Sequence, residues 1–261
     1  YKKPSGVWIM SYTNGLDNPE LYFQTKLYVG TGSQLSVTLD GSEDMAPDWI
    51  WYKNRGTTNS HGLQDVVRGF NTTGIQSSNG SDADPAFNGN TLGYVSAVGS
   101  NGFTVEAGNC ANASSNNYVA WCWKESPTAG FDILTFTGNA SGNQTISHNL
   151  SAVPKWWNIK RLDQASNWCT YHVGLGGADH NVFLNTTSSN QTDTGIWNNT
   201  LPTSSVFSVG NNIDANGNGA SHIYYGWAEK QGFSKFGKYE GNGSTDGTFV
   251  YTGFKPAWVM T

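Results

Sequence analysis

Along this chain the apolar positions fall in short bursts, and the bursts lack a helical period. Leu35-Ser-Val-Thr-Leu39 alternates apolar with polar, the pattern of a strand with one buried face. Trp49-Ile-Trp-Tyr52 and Trp156-Trp-Asn-Ile159 are compact aromatic and β-branched runs that closely follow Pro47 and Pro154. That arrangement suits a strand entered from a turn. Asn101-Gly102 stands directly before Phe103-Thr-Val105, and Gly-Asn and Asn-Gly steps punctuate other gaps. No window of about a dozen residues pairs helical spacing with capping residues. The pattern predicts an all-β chain.

The bursts also recur. Tyr28-Val-Gly-Thr-Gly32 precedes Pro47-Asp-Trp-Ile-Trp-Tyr-Lys-Asn-Arg55 as Phe136-Thr-Gly-Asn-Ala140 precedes Pro154-Lys-Trp-Trp-Asn-Ile-Lys-Arg161. Tyr239-Glu-Gly-Asn-Gly243 precedes Pro256-Ala-Trp-Val-Met260 in the same way. The three prolines stand roughly 105 residues apart, the signature of a tandem repeat. Ser60 to Gly69 lies over Asn167 to Gly176 without a gap, and Tyr118 to Glu125 over His222 to Glu229. The register places Trp49, Trp156 and Trp258 at one position and Trp123 and Trp227 at another.

This predicts two tandem units, 21–126 and 127–231, each a β-sandwich or jelly-roll, with barrel closure left open at this stage. Residues 232–261 begin a third unit, and 1–20 form a separate N-terminal segment. In that segment Lys3-Pro-Ser-Gly-Val-Trp-Ile-Met10 loosely echoes Lys255-Pro-Ala-Trp-Val-Met260. Glu20-Leu-Tyr-Phe-Gln24 falls where the first strand of unit one belongs. A strand motif that stops at Thr261 suggests that these residues belong to a longer chain. Phe249, Tyr251, Phe254 and Trp258 are expected to pack on a neighbouring chain or on further residues.

Composition narrows the function classes. Charged residues make up 13%, about half the usual share, and aromatics another 13%. The aromatic payload argues against disorder. A net charge of −5 leaves no basic face for general nucleic-acid binding. No apolar run reaches the ~18 residues of a membrane-spanning helix. Three cysteines, Cys110, Cys122 and Cys169, are an odd number without C-x-x-C spacing, which points to small buried side chains.

Taken with Tyr118-Val-Ala-Trp-Cys-Trp-Lys124 and His61 to Gly69, the proline-led strand motif resembles a repeat domain of unknown function. That domain occurs in tailed-phage structural proteins, especially tail fibres of marine phages, including those of cyanobacteria. Unit one matches closely, with Arg68-Gly69 in place. Unit two departs from it at Asn158 and Ile159, at Leu175-Gly176 and at Gly226. The resemblance spans about 21–261 and brings no catalytic motif. It implies a place in a virion fibre and a role in host contact.

The search for chemistry among the residues is consistent with a non-enzyme. His172, Asp179 and His180 flank a Gly-rich loop, but exposed histidines at a turn are the simpler reading. Asp82 and Asp84 supply too few oxygens for calcium. Asp40, Glu43, Asp44 and Asp48 read as solvated loop acids, because glycoside hydrolysis needs a carboxylate pair at fixed separation. No cofactor is expected.

The tryptophans carry the remaining signal. Those at recurring positions are expected to fill the interior of each unit. Trp51, Trp168 and Trp197 have no tryptophan counterpart and are the candidate ligand-binding residues, for stacking on a sugar face. Gly195 and Asn198-Asn199 suggest an exposed loop around Trp197. The alternative is packing between units or subunits. The expected function is a virion structural protein, a phage tail fibre or similar appendage, self-associated as a homo-oligomer such as a trimer and touching a host-surface glycan. A secreted glycan-binding adhesin or lectin, and after it a polysaccharide depolymerase, are the alternatives.

Overall fold

The computed structural model describes residues 14–84 and 89–261, so the echo at Lys3 to Met10 lies outside the described residues. The first strands are β1 (Phe23–Val29), β2 (Leu35–Val37), β3 (Trp49–Asn54), β4 (Gly62–Asp65), β5 (Val95–Gly99), β6 (Gly102–Val105) and β7 (Asn117–Trp123). They build an antiparallel sheet in the order β1-β7-β3-β4 and a smaller one in the order β2-β6-β5. Next come β8 (Phe131–Thr137), β9 (Gln144–Ser147), β10 (Pro154–Arg161), β11 (Trp168–His172), β12 (His180–Phe183), β13 (Gln191–Thr192), β14 (Val206–Val209) and β15 (Ser221–Ala228). These form a six-stranded sheet, β13-β12-β11-β10-β15-β8, and the pair β14-β9. The only helices among the described residues are single turns. The fold is all-β and sandwich-like.

The two sets of strands share one pairing scheme. Trp49 of β3 stands opposite Trp123 of β7, and Trp156 of β10 opposite Trp227 of β15. Within the first set, Tyr28, Ile50, Tyr52, Phe103 and Tyr118 fill the space between the sheets. Within the second, Trp157, Ile159, Tyr171, Trp197, Phe207 and Tyr224 do so.

The recurring tryptophans lie elsewhere, which corrects the expectation that they fill each unit's interior. Trp49, Trp123, Trp156 and Trp227 belong to a third cluster, made by the outer faces of the two large sheets packed on each other. Strand alternation sorts the residues: Ile50 and Tyr52 point into the first sandwich while Trp49 and Trp51 point out of it, toward the second. Trp49 stacks on Tyr225 at 4.8 Å and meets Trp227 at 5.4 Å, and Trp156 stacks on Trp227 at 4.0 Å. Each ring of this size buries ~150–250 Å². A sheet buried on both faces has no polar side to show, which is why these strands read as unbroken apolar runs.

Two local expectations change. Glu20 and Leu21 belong to a 3-10 turn, Pro19–Leu21, rather than to a strand. Asn18 caps that turn by accepting from the Glu20 amide, and Pro19 fixes its first residue, so β1 starts only at Phe23. The motif ending at Met260 forms no strand. In β3 and β10 the same motif pairs with the last strand of its own unit, and residues 232–261 contain no such strand. Trp258 packs within the same chain, against Phe23 and Trp123. Phe249 and Tyr251 stay 86% and 78% exposed.

Candidate functional site

The junction between the sandwiches is made by a tight turn. After β7 the chain turns at Ser126 to Gly130, with the Gly130 amide donating to the Ser126 carbonyl at 2.9 Å. Gly130 sits at φ 72°, and a β-carbon there would collide with the Ala228 carbonyl oxygen, so only glycine fits. The turn brings Glu125 beside Asp132 of β8, a pair that spacing along the chain did not reveal.

The two carboxyl groups are close enough to influence each other's charge. Asp132 is buried and accepts from the Asn149 amide at 2.9 Å. Around them stand Asp48, which accepts from Lys124 Nζ and the Glu125 amide, and His148, whose ring is held at the Thr203 carbonyl. Burial pushes the Glu125 carboxyl up to about 7, helped by the neighbouring Asp132 carboxyl and by the charge of Asp48. Between the ordinary value of 4.5 and about 7, the folded chain keeps a proton that the unfolded chain has lost. Stability should therefore fall as pH rises through that window and level off above it. Urea midpoints measured from pH 4.5 to 8 should show this slope, and Glu125→Gln should flatten it. An unchanged slope in the variant would locate the proton elsewhere.

A second polar cluster bridges the sandwiches. Asp65, fully buried, accepts from Arg68 Nε at 2.7 Å and from the Tyr225 hydroxyl at 2.6 Å. Arg68 also donates to the Tyr225 oxygen at 3.0 Å and reaches Asp84 at 3.5 Å. Burial works against the Arg68 charge, but Asp65 and Asp84 overcome it and hold the guanidinium charged. Asp84 thus stands near a cation of the chain itself. Lys160, buried in β10, donates to the Arg161 carbonyl at 2.7 Å, and burial pushes it down to about 8. Neither cluster was legible from spacing, because each joins residues from both units.

The three candidate ligand-binding rings are all buried, which corrects the expected exposure. Trp51 is 6% exposed and its Nε1 donates to His61 Nδ1 at 2.8 Å. Burial pushes His61 down to about 4, in keeping with a neutral ring that accepts there. Trp168 is 0% exposed and donates to the Ser77 carbonyl of the other sandwich at 2.8 Å. Trp197 is also 0% exposed, set edge-on to Trp157 at 5.2 Å, with Nε1 donating to the His180 carbonyl. Its neighbours Asn198 and Asn199 take positive φ, 53° and 44°, so the backbone reverses and the indole reaches inward while the amides face out.

Above Trp197 the same loop lines a polar hollow of about 320 Å³ with Asp193, Asn198, Asn211 and Gly210. Asp193 is fixed by the Gly195 amide and by Asn212 Nδ2, both at 2.8 Å. Trp197 anchors this hollow rather than lining it. Nearby, His180 bonds Asp179 at 2.8 Å, while His172 accepts from the Gly174 amide at 3.0 Å. Among the described residues no three His, Cys, Asp or Glu side chains gather in a metal-holding group.

A family model described as Domain of unknown function (DUF7483) matches residues 18–261, and the chain belongs to that family. No curated protein and no solved structure matches it.

Proposed function

We propose, for a chain whose family description names no activity, a structural role in a virion appendage, a phage tail fibre or similar, that contacts the host surface. The observation that carries this reading is modular. Two units of one fold dock on each other through the positions that recur between them, Trp49 and Trp123 on Trp227. Such a contact joins repeated modules through one recurring interface. A surface of Asn, Ser, Thr and Gly suits neutral glycans, and the hollow at Asp193, Asn198 and Asn211 supplies amides and a carboxylate for hydroxyl groups. Homo-oligomeric association, a trimer in a fibre, would multiply such weak contacts.

The hollow equally supports a secreted glycan-binding adhesin, the second reading. A depolymerase is disfavoured, since the hollow is lined by one carboxylate, Asp193, where glycoside hydrolysis uses a pair. Peptide mass spectrometry on density-purified virions decides between the first two. The chain should be found in virions, and the soluble chain should compete with virions for adsorption to cells. Recovery only from the particle-free supernatant would reject the virion role.

A further inference from the structure

The aromatic cluster receives more than two units. Phe23 of β1 and Phe131 of β8 are equivalent, since they stand opposite Trp123 and Trp227. Trp49 of the first unit rests on Phe131 at 5.6 Å and on Trp227 at 5.4 Å, the first- and last-strand rings of the second. Trp258 of the third segment rests on Phe23 at 6.3 Å and on Trp123 at 5.6 Å, the corresponding rings of the first. Trp156 of the second unit meets Phe236 of the third segment at 6.3 Å. The joining turn recurs as well: the Ser234 amide donates to the Lys230 carbonyl at 2.9 Å, as Gly130 does to Ser126. Glu229 accepts from the Phe236 amide at 3.2 Å, as Glu125 does from Ile133 at 3.4 Å.

The contacts therefore run from first to second, second to third, and third back to first. We infer that these repeats close a ring of three about an internal pseudo-threefold axis, with the aromatic rings at its centre. One face of that ring is open here. On β8, Phe131 and Ile133 are 2% and 4% exposed beneath the first unit. On β1 their counterparts, Phe23 and Thr25, are half-buried and exposed, and Trp121, the counterpart of buried Tyr225, is half-buried. The occupant of this strip is the body of a third sandwich, the unit that residues 232–261 begin. The strip is continuous with the established aromatic contact, and Trp258 already occupies its place in it. This holds whatever the chain's biological setting, and it leaves self-association of a fibre to other surfaces.

The test uses thiol labelling, since Cys110, Cys122 and Cys169 are all buried. Thr25→Cys in the 261-residue chain should react as an open thiol. In a chain extended after Thr261 by a copy of residues 160–231, in register with β10, its labelling should slow by about tenfold or more. Equal rates, with circular dichroism showing added strand, would overturn the proposal. Slowing that depends on concentration in the unextended chain, with a doubled mass in light scattering, would make a second copy the occupant and also overturn it. If the added unit fails to fold, Thr25→Cys with Ala257→Cys decides on the chain as it stands. A flexible bismaleimide should join them within one chain at any dilution. Only interchain products, or none, would remove the ring.

Discussion

Trp49→Ala should lower the unfolding free energy by roughly 3–5 kcal/mol, the range for emptying a large aromatic site. The residue is 1% exposed and its ring meets Trp51, Trp123, Phe131, Tyr225 and Trp227, so the cavity would open between the two sandwiches rather than inside one. For a chain of this size the loss corresponds to a fall of about 10 °C in midpoint. Because the cavity lies at the shared layer, the transition should also broaden or split as the sandwiches uncouple. Thermal unfolding followed by tryptophan fluorescence and calorimetry reads both effects. A loss below ~1 kcal/mol would mean that the ring is not enclosed as described.

Arg68→Ala should be nearly as damaging, at roughly 3–5 kcal/mol, because it leaves the buried Asp65 carboxylate without its cation. The Tyr225 hydroxyl remains, but one neutral donor does not replace a guanidinium. Asp65→Asn with Arg68→Met, which removes both charges, should cost clearly less than Arg68→Ala alone. Urea unfolding of the two variants at neutral pH makes the comparison. Equal costs would mean that packing of the Arg68 stem, and not its charge, is what matters.

The strands were legible in the sequence because their signals are local. β2, β3, β6 and β10 each follow a turn residue and carry alternating or aromatic runs, and the repeat register aligned Trp49 with Trp156 before any coordinates. What the register did not convey was direction. In Trp49-Ile-Trp-Tyr52 every residue is buried, so no polar side marks which face looks inward and which meets the neighbouring unit. Trp197 misled for a different reason. Gly195 and Asn198-Asn199 do mark an irregular segment, but a residue inside such a segment can still point its side chain at the core. The polar clusters were hidden because Asp65 and Tyr225 lie far apart in sequence. Glu125 and Asp132 flank the turn at Ser126 to Gly130, but acids beside a turn read as solvated ones in the sequence.

The junction cluster also specifies the order of the modules. At the positions of Asp65 and Arg68 the second unit carries His172 and Leu175, and His172 meets Phe236 at 6.3 Å where Asp65 bonds Tyr225. The two joints therefore share a geometry but not a chemistry, like keys cut from one blank. Exchanging the units would set His172 against Trp121 and leave the Tyr225 hydroxyl facing no carboxylate. A recombination event that shuffled these repeats would preserve every strand and still produce a mismatched chain. Homology between the copies invites such events, and the divergence at Asp65, Arg68, His172 and Leu175 penalises their products.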